Sequence, residues 1–345
     1  MTSAASNLRP FPSSKVQGSI PIAALGYGAM GLHAFYGQPR SDEETFEVLD
    51  SLVKNSPQLP VMVDTSDVYT TTPGNGDNER AIGRWLAKDP QNRNKVFLAT
   101  KFAFAPDRSL ATSAEDAKKA NKASLERLGV DYVDLYYAHR PDRSVGVEDT
   151  FKGLKALKDA GKTKFVGCSE YSLEELKTAN SIVHVDAYQI EASPWTPEVF
   201  TNGLAAWCEE NGTALVPYSP LGRGFLGGRF NKPEDIPEDD FRRHSERFQG
   251  EHFKKNMKLV DDLKALGQKK NGATAAQVCL AWLMAQGDNI FPIPGTTNVG
   301  RLQENLGAAK VELSKEEVAE ITKVVASFNV SGERYPAAFA GALAF

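Results

Sequence analysis

Along the chain's 345 residues, short β-branched or apolar runs alternate with longer amphipathic segments. That alternation restricts the fold more than any single motif. The strand candidates are Ile22–Leu25, Val61–Val63, Val96–Thr100, Val133–Tyr137, Phe165–Cys168, Ala187–Ile190, Ala214–Pro217 and Ile290–Ile293. Their near-continuous apolar character suits parallel strands covered on both faces. Helix starts lie between them. Ser41-Asp-Glu-Glu44 reads as a capping box, with Phe46, Leu49 and Val53 on one face behind it, and Ser172-Leu-Glu-Glu175 and Ser314-Lys-Glu-Glu317 repeat the signal. Ser113 is placed to cap a helix running to Leu128, with Gly129 as its stop. Eight strands separated by helical segments leave two architectures, an open doubly wound sheet or a closed barrel. No linker, composition break or low-complexity stretch divides the chain, which favours one domain.

Composition narrows the classes of partner. With 41% hydrophobic and 24% charged residues the chain is globular, and at this length it can bury a core without disulfide or metal staples. A net charge of -4 gives no electrostatic ground for a nucleic acid or an anionic membrane as partner. No apolar run approaches the roughly 20 residues of a membrane span. Met1–Ser14 is polar with two prolines, so no secretory signal is expected. Cys168, Cys208 and Cys279 are odd in number and far apart, which suits a reducing compartment, and the cytoplasm is the expected location. His33, His184, His244 and His252 lack metal-ligand spacing, so no metal is expected.

One glycine motif fails its context. Gly26-Tyr-Gly28-Ala-Met-Gly31 matches the dinucleotide fingerprint and follows a strand candidate. That mechanism needs a helix opening at the third glycine, so that its N-terminus meets the pyrophosphate. Here Gly37 and Pro39 follow and the next helix starts near Ser41, while Asp50 falls inside that helix rather than after a second strand. A tight turn with close backbone approach is the better reading.

In a parallel barrel, functional residues follow the C-terminal ends of strands, and polar residues recur there. Asp64 follows Val61–Val63, Lys101 follows Val96–Thr100, His139 follows Val133–Ala138 and Ser169 follows Phe165–Cys168. Gln189 lies near the end of Val185–Ile190, and Tyr218 follows Leu215–Pro217. A lone strand-end aspartate is more often a loop cap or a surface ion pair, but several at equivalent positions point to one site. The chemistry that fits is proton-coupled hydride transfer to a carbonyl. A free tyrosine titrates near pH 10, so a neighbouring cation must lower it before it donates well. Lys101 can supply that charge, Asp64 can hold the ammonium, and Tyr69 lies on the loop that reaches both. His139 can donate the hydrogen bond that orients the carbonyl.

Seven motifs then resemble the aldo-keto reductase family in its order. They are Asp64-Thr-Ser-Asp-Val-Tyr69; Asn78-Glu79 with Ile82-Gly83 and Leu86; Ala99-Thr-Lys101; Asp134-Leu-Tyr-Tyr-Ala-His139; Gly161-Lys-Thr-Lys-Phe-Val-Gly167-Cys-Ser169; Tyr218-Ser-Pro-Leu-Gly-Arg-Gly224; and Pro292-Ile-Pro-Gly-Thr-Thr297. Resemblance runs from roughly Ile20 to Val325, and the Gly-Ala-Met-Gly-Leu opening looks most like the fungal and plant auxin-induced-type, perakine-reductase-like branch. It implies an α/β fold, a (β/α)8 TIM barrel with an N-terminal hairpin, a long loop between strands 7 and 8 and extra C-terminal helices. A single barrel domain over 1–345 follows, with 326–345 as a tail. It also implies an enzyme that reduces an aldehyde or ketone with NADPH, using Asp64, Tyr69, Lys101 and His139, with Tyr69 as general acid.

By the same resemblance, Ser169 and Gln189 hold the nicotinamide amide and Tyr218 stacks on its ring. Ser219, Pro220, Leu221, Gly222, Arg223 and Gly224 cover the pyrophosphate, with Arg229 beyond. Gly28, Met30, Asp64, Pro294, Gly295, Thr296, Thr297, Arg301, Glu304 and Asn305 complete the cofactor contacts. Two positions depart from the pattern. Glu170 stands where many relatives have Asn, and Gly295 where the best-known mammalian type has Lys. Arg301, with Arg223 and Arg229, compensates for that missing cation, so NADP(H) stays the favoured cofactor.

Phe35, Tyr36, Phe102, Phe104 and Trp195 follow barrel strands and can line an apolar pocket for a small carbonyl substrate, with Tyr69 and His139 at its base. For Phe35 and Trp195 simple packing is an equal alternative. The insert Leu221–Asn256 is long enough to be a functional loop. Its acids Asp235–Asp240 read as a solvated face that pairs with Arg242, Arg243 and Arg247, unless one arginine reaches cofactor phosphate. The stretch from Ser331, with Tyr335, reads as a tail or flap. Val278, Leu280, Trp282 and Leu283 read as core. Three further functions compete: a pyridoxal-type reductase, an NADPH-binding redox sensor related to potassium-channel β subunits, and a barrel aldolase with Lys101 as Schiff-base lysine. Assembly as a monomer or a homo-oligomer is open.

Overall fold

The computed structural model describes residues 8–238 and 240–334. A hairpin comes first, β1 (Leu8–Phe11) antiparallel to β2 (Ile20–Ala23). Seven parallel strands follow in sequence order, β3 (Tyr27–Gly28), β4 (Val61–Asp64), β5 (Val96–Phe102), β6 (Val133–Ala138), β7 (Thr163–Ser169), β8 (Ala187–Glu191) and β9 (Ala214–Tyr218). The outer ring contains α1 (Asp42–Asn55), α2 (Asp77–Lys88), α3 (Asn92–Lys95), α4 (Ala114–Leu128), α5 (Val147–Asp159), α6 (Leu173–Ile182) and α7 (Leu204–Asn211). It continues with α8 (Gly250–Lys269), α9 (Ala275–Met284), α10 (Val299–Gly307) and α11 (Lys315–Ser327).

The helix starts form as their sequence dictates. Ser41, Ser172 and Ser314 each accept from the backbone N–H three residues on, and the glutamate there reaches back to the serine N–H. Ser113 makes the same box with Asp116, and Gly129 ends α4 in the left-handed conformation. Each such cap is worth about 1 kcal/mol.

Two strand expectations change. Ile22–Leu25 was expected as the first barrel strand. Instead its start belongs to the hairpin, and Tyr27–Gly28 pairs with β4. The eighth segment, Ile290–Ile293, makes only one parallel bridge, Leu215 to Ile290. Its backbone nevertheless closes the barrel on both sides. Phe291 and Ile293 donate to the carbonyls of Leu215 and Pro217, while Pro292 and Pro294 accept from Gly26 and Gly28. The prolines lack N–H groups, so the ladder has gaps. Glycine is required where these backbones meet, because a Cβ on Gly28 would lie 2.8 Å from the Ile293 carbonyl oxygen. No long helix opens at Gly31; a short 3-10 turn, Met30–Leu32, stands there and α1 starts at Asp42. Close approach is therefore right for this segment, though it serves strand packing as well as a turn.

The core has two layers. Side chains pointing inward, among them Met62, Phe97, Leu135, Tyr137, Phe165, Val216 and Phe291, fill the barrel, and Phe11 and Ile22 of the hairpin join them. Phe11 sits 4.6 Å from Phe97 and 5.3 Å from both Phe165 and Phe291, ring to ring, so the hairpin plugs the N-terminal end. The other layer lies between strands and helices and includes Val278, Leu280, Trp282 and Leu283. The insert is less of a loop than expected. It contains short 3-10 turns, and α8 begins at Gly250 inside it. Tyr335 and the rest of the expected flap lie outside the described residues. Among the described residues no helix is long and apolar enough to cross a membrane, and none group into a cluster of three or more metal-ligating side chains.

The plug generates a prediction. Phe11→Ala should lower stability by about 3–5 kcal/mol, read by urea unfolding. A loss under about 1 kcal/mol would show that the hairpin folds outside the cooperative core.

Candidate active site

Parallel pairing in register brings the polar strand ends together. Asp64 ends β4 opposite Ala99, Lys101 lies opposite Tyr137, and Ser169 lies opposite Gln189. Strand alternation then sorts the side chains. On β5, Lys101 shares the inward face with Ala99, while Thr100 and Phe102 point to the helices. Thr100 donates to Glu79 at 2.6 Å, and Glu79 accepts from Arg127 at 2.6 Å.

Lys101 is completely buried and spends its ammonium hydrogens on three acceptors. They are Asp64 Oδ1 at 2.5 Å, the Thr65 carbonyl at 2.9 Å and the Tyr69 hydroxyl at 3.1 Å. The second oxygen of Asp64 accepts from Gln189 Nε2 at 2.9 Å. Burial pulls the Lys101 ammonium down, but the Asp64 carboxylate outweighs it and holds the group above its ordinary value. Burial pushes Asp64 up, opposed by Lys101. Tyr69 is pushed up by burial as well, and Lys101 only partly offsets this. The net direction is opposite to the lowering expected from a neighbouring cation, because the phenol has lost its water. Tyr69 therefore stays protonated at neutral pH. His139 sits edge-to-face with Tyr69, centroids 5.8 Å apart, and its Nδ1 lies 3.1 Å from Ser66 Oγ. Burial first, then Arg140 and Lys101, hold its imidazole well below the usual range, so it is neutral.

The aromatic candidates divide. Phe102 is fully buried and stacked on Tyr136 at 5.2 Å, turned away from Lys101, which corrects its expected place in the pocket. Phe104 takes that position, 5.8 Å from the His139 ring. Trp195 is 3% exposed and packs on Phe225 at 4.5 Å and on Phe248 at 5.3 Å. Phe35 is half exposed, with a positive φ of 65°.

The residues expected at a cofactor form a band beside this cluster. The Ser169 hydroxyl accepts from Arg140 at 3.3 Å, and Tyr218 donates to Glu170 at 2.7 Å. In the loop after β9, Ser219, Gly222, Arg223 and Gly224 all have positive φ. Strain of that kind at non-glycine residues clusters at functional loops. The Arg223 side chain faces Glu191 at 3.6 Å. Pro220 and Pro294 are buried, and Met30, Leu221, Thr296, Thr297 and Glu304 are half-buried. Tyr27 donates to the Thr296 carbonyl, Arg40 reaches the Thr297 hydroxyl at 3.5 Å, and Arg301 Nε donates to the Thr296 hydroxyl at 3.4 Å. The Glu304 carbonyl accepts from Gln277, while Asn305 is buried. A Cβ at Gly295 would lie 2.6 Å from the Gly28 carbonyl oxygen, so a lysine has no room there without a backbone shift.

A donor set fit for an anion exists nearby. Desolvation, then the charges of Arg242 and Arg301, pull the Arg229 guanidinium down to about 10. Arg242 pairs with Asp240 at 2.5 Å and donates to the Arg223 carbonyl. Arg243 bonds the Ile236 and Pro237 carbonyls and Arg247 the Gly332 carbonyl, so of these three arginines Arg242 alone makes the expected acid pair among the described residues. Crowded guanidinium groups with one carboxylate among them suit a phosphate-bearing ligand.

Several site residues escaped the sequence reading. Arg334 bridges Glu170 at 3.1 Å and Glu191 at 2.8 Å. Burial works to raise Glu191, but Arg223 and Arg334 hold it low. No local pattern could connect residues so distant in sequence. Ser66 and Asp67, by contrast, stand inside the Asp64–Tyr69 motif itself.

With this geometry in hand, comparison places the chain. The Aldo/keto reductase family matches residues 24–326, and the chain belongs to that family. It is 41% identical over 332 residues to the NADP(+) aldo-keto reductase yakc of Schizosaccharomyces pombe, covering 94% of both chains. It is 38% identical to the aldo-keto reductase str7 of Strobilurus tenacellus, covering 94% of this chain and 95% of that one. In fold it resembles the glycerol dehydrogenase AKR11B4 of Gluconobacter oxydans, with a TM-score of 0.81 at 22% identity, over 96% of this chain and 99% of that one. The chain is thus an oxidoreductase homologous to NADP(H)-dependent enzymes that reduce carbonyls by hydride transfer.

The buried pair makes its own prediction. Lys101→Met, which strands the Asp64 carboxyl, should cost about 3–5 kcal/mol in urea at pH 7. Adding Asp64→Asn should recover a good part of that loss. Strict additivity of the two losses would show that the charges are not coupled.

Proposed function

We propose that this protein reduces an aldehyde or ketone to the alcohol with NADPH, with Tyr69 as general acid. The observation that carries the reading is the single buried ammonium of Lys101 bridging Asp64 and Tyr69. Tyr69 donates its proton to the carbonyl oxygen. Lys101 stabilises the phenolate left behind, and Asp64 keeps Lys101 charged and aimed. His139, neutral and beside Tyr69, donates a hydrogen bond to the same oxygen and orients it. Phe104 beside His139 supplies apolar surface for the substrate.

NADPH, when bound, supplies the hydride that reaches the carbonyl carbon. Ser169 and Gln189 would hold its amide, and Tyr218 would cover the ring. The strained Ser219–Gly224 loop would take the pyrophosphate, with Gly28, Met30, Pro294, Gly295, Thr297, Glu304 and Asn305 around the remaining path. Arg301, Thr296 and Arg229 would meet the 2′-phosphate. Support comes from the guanidinium groups of Arg229, Arg242 and Arg301, whose mutual repulsion an added anion would relieve. The motif order supports the auxin-induced-type branch. Three buried free thiols, each pushed up by burial, support a cytoplasmic single-domain barrel with its core at 20–325.

Two tests follow. In NADPH-depletion assays over a panel of aldehydes and ketones, Tyr69→Phe should lower kcat by about 10²- to 10⁴-fold; unchanged rates would end the mechanism. Arg301→Ala and Arg229→Ala should weaken NADPH binding roughly 10- to 100-fold and barely affect NADH, read by fluorescence titration. Equal losses for both cofactors would overturn the 2′-phosphate assignment.

A further inference from the structure

Ser66 occupies a position with more demands than a hydroxyl can meet. It is fully buried, its Oγ lies 3.1 Å from His139 Nδ1 and 3.3 Å from Asp67 Oδ1, and the Lys101 carbonyl stands further off at 3.4 Å. The Val68 N–H donates to it at 3.4 Å. A hydroxyl has one hydrogen to give. If that hydrogen goes to Asp67, the His139 side must donate to Ser66. If Asp67 itself carries a proton, it donates to Ser66, and the hydroxyl hydrogen is free for His139 Nδ1.

We propose that Asp67, acting through Ser66, sets which ring nitrogen of His139 carries the proton, and so switches the carbonyl-orienting hydrogen bond on or off. The inference rests on the reading of His139 as that donor. His139 is neutral, so only its tautomer can change, and with Nδ1 engaged by Ser66 the nitrogen left for a substrate is Nε2. With Asp67 protonated, Ser66 donates to Nδ1 and Nε2 keeps its hydrogen, ready to donate. With Asp67 ionised, Ser66 donates to the carboxylate, Nδ1–H donates to Ser66, and Nε2 is a bare acceptor that cannot hold a carbonyl. The net change is one proton lost from Asp67 to solvent.

The surroundings put this switch in a useful range. Burial, and next Glu79 on α2, push Asp67 up to about 8, opposed by Arg127 on α4 and by bonds from Ser66 and the Val68 N–H. Tyr136 on β6 faces it as well, and the backbone N–H of Asp67 donates to the Lys101 carbonyl on β5. Around His139 stand Arg140, Lys101, Tyr69 and Phe104. The sign follows directly. Below about pH 8 the donor tautomer dominates, and above it reduction falls. Asp67 and Ser66 are positioning residues, acting only through His139.

The test is the pH profile of kcat/KM for reduction of 4-nitrobenzaldehyde by the full chain with NADPH. The unsubstituted protein should lose about tenfold per pH unit above the Asp67 transition. Asp67→Asn, whose amide donates at every pH, should stay flat there, and Ser66→Ala should lose the limb at a lower plateau. Ser66→Thr should restore it. Histidine ¹⁵N NMR of the unsubstituted protein, with the signal assigned through His139→Asn, should show the proton passing from Nε2 to Nδ1 across the same range. A limb that persists in both Asp67→Asn and Ser66→Ala, or an Nε2–H tautomer maintained to pH 10, overturns the proposal. The two readings fail separately. An active Tyr69→Phe refutes the reductase mechanism, whereas an inactive Tyr69→Phe with a persistent limb refutes only the switch.

Discussion

A fully buried ammonium is among the most expensive groups a protein can enclose, and the site of this barrel is arranged around one. Lys101 is tolerated because Asp64, the Thr65 carbonyl and the Tyr69 hydroxyl take its hydrogens, and Gln189 secures the far oxygen of Asp64. Those partners come from β4, the loop after it, and β8, so the pair is satisfied only if the barrel strands are in register. The chemistry depends on the same enclosure. Low solvation keeps Tyr69 protonated and His139 neutral, and gives the Lys101 charge its force on whatever oxygen Tyr69 serves.

A second tier of polar contacts fixes the elements that carry this cluster. Glu79 ties β5 to α4 through Thr100 and Arg127, behind the face that presents Lys101. On the opposite side, Glu170 and Glu191 are bridged by Arg334, with Tyr218 and Arg223 on the same carboxylates. That network joins the ends of β7, β8 and β9 to a residue near the end of the described chain. A glutamate suits position 170, because a carboxylate can serve a guanidinium and a phenol at once.

Much of the architecture was legible because it rests on local rules. Capping boxes need four residues, and all three predicted serine–glutamate boxes form. Asp64, Lys101, His139 and Ser169 could be found because parallel strands deliver their C-terminal ends to one face. The failures share a cause as well. Ile22–Leu25 has strand composition in either the hairpin or the barrel, and only the plug of Phe11 against Phe97, Phe165 and Phe291 distinguishes them. Phe102 looked like a pocket residue because it follows Lys101, but alternation along β5 sends neighbours to opposite faces.

The sequence by itself thus determined which residue types stand at the strand ends, where the helices begin, and which family the motifs resemble. Local chemistry and spacing suffice for those. Tertiary structure decided what those residues are when enclosed. It raised Tyr69 where a nearby cation suggested lowering, and it left no room for a side chain at Gly295 beside the Gly28 carbonyl. It also set Ser66 between Asp67 and His139. Desolvation, steric clearance and the sharing of one hydrogen among several acceptors arise only between segments brought together by folding, so no stretch of sequence contains them.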